Sequence, residues 1–258
     1  MKINQYFIMY LTLSSQEIKR IIRIWPQTLL PSAVTTSLYL LVFGQIVGLQ
    51  IGKISNVPFI DFITPGLATM VIINNSYLNV VVSFYGARFH KSIEGLLVSP
   101  MNNHIIIMGY VTGGVFRGLI SGTIVVVISC FFANAFRFYS LFLIFISFFI
   151  LSFLFSLGGL INGIFSEKFD DTMIFSTFIL TPLVYLGGIF FDINLLPLFW
   201  RTLSKFNPLL YIIDFMRYSF LGSSLYSPTN TIFFSICLLL ILYITSFVLL
   251  EKGFRLKN

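Results

Sequence analysis

Long apolar runs alternate with short polar breaks along this chain, and their spacing predicts helices rather than strands. Runs at about Leu29–Gly48, Ile60–Ser83, Ile105–Phe132, Phe138–Phe165, Met173–Phe191 and Thr231–Leu250 each reach the ~20 residues a helix needs to cross a bilayer. Six spans are predicted. Between the second and third lies a polar island, Gly86–Met101. Read at helical spacing, Phe89, Ile93, Leu96, Leu97 and Pro100 fall on one face, and Arg88, Lys91, Ser92 and Glu94 fall on others. The pattern predicts a short amphipathic helix stopped at Ser99-Pro100, where a partner outside the bilayer could grip.

Ahead of the first span, Ser14 and Glu17 have capping-box spacing. Ile18, Ile21, Ile22 and Trp25 then recur at helical spacing, with Lys19, Arg20 and Arg23 opposite and Pro26 as a stop. An interfacial helix within residues 1–27 is predicted, its basic face on anionic lipid headgroups. The alternative is a solvated retention signal; the apolar spacing, held through two turns, favours the interfacial helix. The run is interrupted by Ser14-Ser15-Gln16-Glu17, so no cleaved signal is expected. Residues 28–250 then form a six-span bundle and 251–258 a tail, in one membrane domain.

The third span carries glycines at 109, 113, 114, 118 and 122, and Gly114, Gly118 and Gly122 at four-residue spacing predict close helix approach. Arg117 lies near the middle of the same span. An intramembrane cation is costly, which makes Arg117 a candidate for the translocation path, against an Arg that bonds within the bundle. After Gly187-Gly188, Pro197 and Asn207-Pro208 divide an aromatic segment containing Trp200 into two short helices. The stretch Leu209–Leu221 holds Asp214 and Arg217 and is too short and too charged to cross. The segment predicts a re-entrant or interfacial hairpin with an aromatic belt, in which Asp214 and Arg217 can pair. The polar turn Ser166–Asp171 reads as a solvated loop with acids near the start of the next helix.

Composition sharpens the class: of 258 residues, 57% are hydrophobic and 10% charged, too little polar surface to cover a soluble globule. Of the Lys and Arg residues outside Arg117, ten flank one side of the six spans and five the other. The richer side holds both termini, the island and residues 166–171, and the positive-inside rule places that side in the cytoplasm. The net charge of +7 therefore sets orientation, and no nucleic-acid partner is expected. Cys130 and Cys237 lie in apolar runs without metal-ligand neighbours. Gly48 to Lys53 is one residue short of a phosphate loop and lacks its Ser/Thr, and His90 and His104 have no partner motif. No paired intramembrane carboxylates are read, the one acid near a span being Asp61 at an edge. Catalysis by this chain is not expected, and its energy source is expected elsewhere.

Residues 93–100, 180–188, Leu196-Pro197, Trp200, Asn207-Pro208-Leu209 and Arg217 together resemble the membrane subunit of ABC-2 type transporters, and the resemblance runs over essentially the whole chain. It implies an all-α, six-helix permease, a homodimer in membrane lipid, bound to two copies of a separate ATPase. ATP and magnesium would sit on that partner, leaving no cofactor on this chain. The island would be the coupling helix, formed by Arg88, Phe89, Lys91, Ile93, Glu94, Leu96, Leu97 and Pro100, and the hairpin would lie near the exit for an exported substrate. The competing class is a non-transport membrane scaffold or an ATP-independent channel.

Overall fold

The computed structural model describes residues 3–54, 57–99, 101–132 and 138–253, apart from the side chains of 3, 4 and 97. Six described helices are long and apolar enough to cross a membrane: α2 (Trp25–Ile51), α3 (Phe59–Phe89), α5 (Asn103–Phe132), α6 (Leu141–Phe165), α7 (Phe169–Leu186) and α10 (Pro228–Glu251). Around them lie α1 (Ile3–Arg23), α4 (Ser92–Val98), α8 (Leu198–Lys205) and α9 (Pro208–Leu221). A two-stranded hairpin joins α2 to α3, with Lys53 opposite Pro58 and Ile54 opposite Val57.

Helix α3 is the spine. Buried along most of its length, it packs against α6 and α5 on either side, while α2 and α10 turn large apolar side chains outward, among them Val34, Leu38, Phe233, Ile241 and Ile244. Two apolar clusters fill the interior. One, at the end carrying the residue 187–227 hairpin, gathers Phe62, Leu67, Ile73, Phe148, Ile213 and Phe220. The other, at the island end, gathers Leu13, Phe84, Ile93, Ile107, Tyr110 and Ile164.

The glycines of α5 work as the spacing predicts and extend further. A Cβ on Gly114 or Gly118 would collide with Ser156 and Val80, or with Ser76 and Ser152, so α3 and α6 both seat against this helix. Gly109 and Gly113 seat α1 in the same way, and a Cβ on Gly113 would come within 2.8 Å of Glu17 Cβ. Small residues let backbones approach where the bilayer offers no hydrophobic drive between helices.

Several boundaries differ from the sequence expectation. Helix α1 runs through Ser14, whose hydroxyl donates to the carbonyl of Tyr10 at 2.8 Å; this back-bond lets a buried serine sit mid-helix instead of capping a new one. The break falls at Ile24 (φ −108°, ψ 22°), because Pro26, needing no amide partner, suits the first turn of the following helix. Helix α7 begins at Phe169, ahead of the expected Met173, since the Asp171 carboxylate accepts from the amides of Glu167 (3.0 Å) and Lys168 (2.9 Å) and caps it. It ends before Gly188, whose φ of +80° breaks the helix well short of Phe191.

Candidate functional site

The island is not one amphipathic helix. Arg88 and Phe89 complete α3, His90 and Lys91 turn the chain with Lys91 left-handed at φ +56°, and only then does α4 begin. Pro100 and the Leu97 side chain lie outside the described residues. Ile93 turns inward, 1% exposed, into the island-end apolar cluster with Phe84 and Ile107, so it holds α4 to the bundle and offers no surface for docking. Leu96 is half-buried, and Lys91 and Glu94 are exposed. The apolar groups that do face outward are Phe89, 69% exposed, and Val98, 88% exposed; Val98 was not singled out in the sequence because its apolar neighbours masked it.

Arg88 also points elsewhere than expected. Its guanidinium donates to the carbonyls of Gly163 (3.5 Å), Ile164 (2.5 Å) and Ser166 at the C-terminus of α6. These are carbonyls that a helix end leaves without intrahelical donors, and a cation suits that end of the helix dipole. Tyr85 adds a bond to the Glu167 carbonyl at 3.5 Å and an edge contact with Phe169 at 6.2 Å. The island and the 166–171 turn are thereby fastened into one platform.

Behind that platform the structure assembles a polar seam that the sequence did not announce. Glu17, 7% exposed, accepts from Ser83 Oγ at 2.7 Å and from Arg20 Nη2 at 2.8 Å. The same Arg20 nitrogen reaches the carbonyl oxygen (3.3 Å) and side-chain oxygen (3.1 Å) of Asn79. Further along, Arg117 Nε donates to Asn75 Oδ1 at 3.1 Å, and Asn75 Nδ2 donates to Ser32 Oγ at 3.0 Å. Asn75, Asn79 and Ser83 are four apart on α3, a spacing that could have been read as one polar stripe. Burial pushes the Glu17 carboxyl above its ordinary range, and Arg20 and the Ser83 hydrogen bond offset part of that rise. Asn75 supplies the partner of Arg117.

At the opposite end Asn207 caps α9, accepting from the amide of Leu209 at 2.9 Å and donating to the Leu183 carbonyl at 2.6 Å, with Pro208 as the first helical residue. Pro197 precedes α8, whose Phe199 and Trp200 face outward. The two short helices divide where the prolines predict. They differ in burial: α8 is largely exposed, whereas α9 sinks Leu210, Ile213, Met216 and Phe220 among α3, α6 and α10. Gly187 packs against Ile213.

Asp214 and Arg217 make no direct ion pair. Asp214 accepts from the amides of Leu225 (2.9 Å) and Tyr226 (3.0 Å), while Arg217 donates to the Gly188 carbonyl at 2.8 Å and lies over the Phe62 ring at 4.0 Å. Free backbone groups beside the broken chain reach each charge before its neighbour does. Burial pushes the Arg217 guanidinium down to about 10, opposed by Asp214 and Asp192. It raises Asp214, against the two amides and Arg217.

Residues 9–221 match the family described as ABC-2 type transporter. The chain is similar to the inner membrane transport permease YadH of Escherichia coli (strain K12), with 42% identity over 253 residues covering 98% of each chain. It is similar also to nodulation protein J of Neorhizobium galegae, 21% identical over 89% of this chain and 88% of that one. The same-named protein of Sinorhizobium fredii is 24% identical over 70% and 69% respectively. With six membrane-length helices, glycine-seated packing and a family match over most of its length, this chain belongs to the ABC-2 type transporter family and is a membrane permease subunit of an ABC transporter.

Proposed function

We propose that the chain forms the substrate path of an inner-membrane exporter and is driven by a separate ATPase that docks on the island from the cytoplasm. Two copies of the permease and two of the ATPase complete the transporter, in membrane lipid, with ATP and magnesium held on the partner. The ten-to-five split of basic residues supports cytoplasmic termini and a cytoplasmic island. The hairpin then lies on the outer side, where α9, sunk among the spans, supports re-entry near the exit.

The observation that carries the proposal is the clamp of Arg88 on the end of α6. A push on Phe89, Lys91, Glu94 or Val98 is delivered to α3 and, through the clamp, to α6, so that movement enters two packed spans at once. Arg117 would act along the path by holding Asn75, and through it Ser32 of α2, against α5.

The test is copurification of the ATPase with permease variants, beside ATP turnover of the reconstituted complex. Val98→Asp and Phe89→Asp each put a charge into the docking contact and are expected to lose most of the bound ATPase. Retention of the ATPase by both variants, at the unmodified level, would overturn the docking site.

A further inference from the structure

A second site lies at the hairpin end of the first two spans. There α2 leaves regular α-helix for a π-helical stretch, Leu40–Val47, a distortion that often marks a functional position. The stretch presses against α3: a Cβ on Gly44 would come within 2.9 Å of Ile60 Cδ1, and one on Gly48 within 3.5 Å of Phe59. Beside this contact opens a cavity of about 530 Å³, lined by Gln45, Leu49, Phe59, Ile60, Asp61 and Phe132 among others. Its volume falls within the ~300–1,000 Å³ usual for small-molecule sites.

Asp61 is the uncommon feature. Its Oδ1 is buried and has no hydrogen-bond partner among the described residues, and the described residues lining the cavity include no Lys, Arg or His. Gln45, inside the otherwise apolar π-helical stretch, is the second polar side chain lining the same space. A carboxylate lining a largely apolar space favours a cation there over a neutral or anionic group. The walls made by Leu49, Phe59, Ile60 and Phe132 ask for hydrocarbon or aromatic surface.

We infer that this cavity binds an organic cation, with its ammonium group against Asp61 and Gln45 and its apolar body against Phe59, Ile60 and Phe132. Resting on the transporter reading, the inference gives the exported substrate a chemical class: amine-bearing and amphiphilic. Such a head could come from a free organic cation or from an aminophospholipid, and both meet the same carboxylate.

The experiment uses the permease–ATPase complex in dodecyl maltoside, an uncharged detergent, with ethidium as the fluorescent probe. Asp61→Asn keeps the shape and removes the charge; it is expected to weaken ethidium binding at least tenfold, with Asp61→Glu restoring most of it. Leu49→Trp, which fills the cavity from its rim, is expected to weaken binding as well. Competition by added phosphatidylethanolamine that disappears in Asp61→Asn would identify the lipid source, and absence of competition the free cation; either outcome supports the site. Equal ethidium affinity in the unmodified complex and Asp61→Asn would overturn it. ATPase copurification is measured on the same samples, so that loss of the motor, which would sink the transporter reading, is distinguished from loss of the cation site.

Discussion

Two buried charge clusters lie about 30 Å apart along α3, at ~1.5 Å per residue between Phe62 and Ser83, and they use the same sequence spacing in opposite ways. Glu17 and Arg20, three apart, meet directly at 2.8 Å and extend to side chains of α3. Asp214 and Arg217, also three apart, turn from each other and hold the backbone at Leu225, Tyr226 and Gly188. The difference lies in what each charge finds within reach. Glu17 faces α3 and α5, whose peptide groups are already paired within their helices, so only side chains remain to bind it. Asp214 faces the turn after Gly222, at φ +72°, where amides point inward without helical partners. The first cluster is a joint between helices; the second is a knot in the path of the chain.

The largest expected effect comes from breaking the knot. Arg217→Met removes the bond to Gly188 and the cation over Phe62, and leaves buried Asp214 without its nearby guanidinium, at a cost of roughly 3–5 kcal/mol. Thermal unfolding in detergent should show a much lower midpoint, with new protease cleavage within residues 187–227. An unchanged midpoint would mean that the hairpin is held by apolar packing alone.

Next is Arg88→Met, which frees the carbonyls at the end of α6 and costs roughly 1–3 kcal/mol. Here the expected signature is functional: the ATPase still copurifies, but ATP turnover no longer rises with transport, because the island is no longer fastened to α6. Full coupling in this variant would show that α3 alone carries the movement.

The joint is sharpened by a pH experiment. Burial raises the folded-state pKa of Glu17 above its ordinary value of 4.5, so just above that value the folded protein binds more protons than the unfolded chain. Stability must then fall as pH rises from about 4.5 through the raised pKa. Glu17→Gln should lack this fall, and parallel pH profiles of the two proteins' unfolding midpoints would refute the burial argument.

The smallest expected effect separates the platform's rim from either cluster. Glu94 is exposed, so Glu94→Arg should weaken ATPase retention by less than about 1 kcal/mol. The loss should shrink further in high salt, where exposed charges are screened. A large, salt-independent loss would place Glu94 in a buried contact.

Much of the molecule was legible before its coordinates. Each span declares itself in its own 20 or so residues, because crossing a bilayer is a local property of length and apolarity. Pro197 and Asn207-Pro208 divide the hairpin for an equally local reason: they set φ and remove or cap amides. The glycines of α5 announced close packing, though not which helices would fill the groove.

Position in three dimensions decided the rest. Glu17 read as a capping-box partner of Ser14 and Arg20 as part of a basic face on lipid headgroups until α1 lay down on Gly109 and Gly113 and carried them to Asn79 and Ser83. Arg88 and Phe89 are neighbours on the last turn of α3, yet one reaches the end of α6 and the other faces outward, and beyond the turn at Lys91 Ile93 enters the interior while Glu94 stays outside. Sequence alone determined how many times the chain can cross and where it must turn, since those depend on neighbours along the chain. Which charges meet, which face outward and which carbonyls they hold depended on helices far apart in sequence coming within a hydrogen bond's length, and only the tertiary structure could decide that.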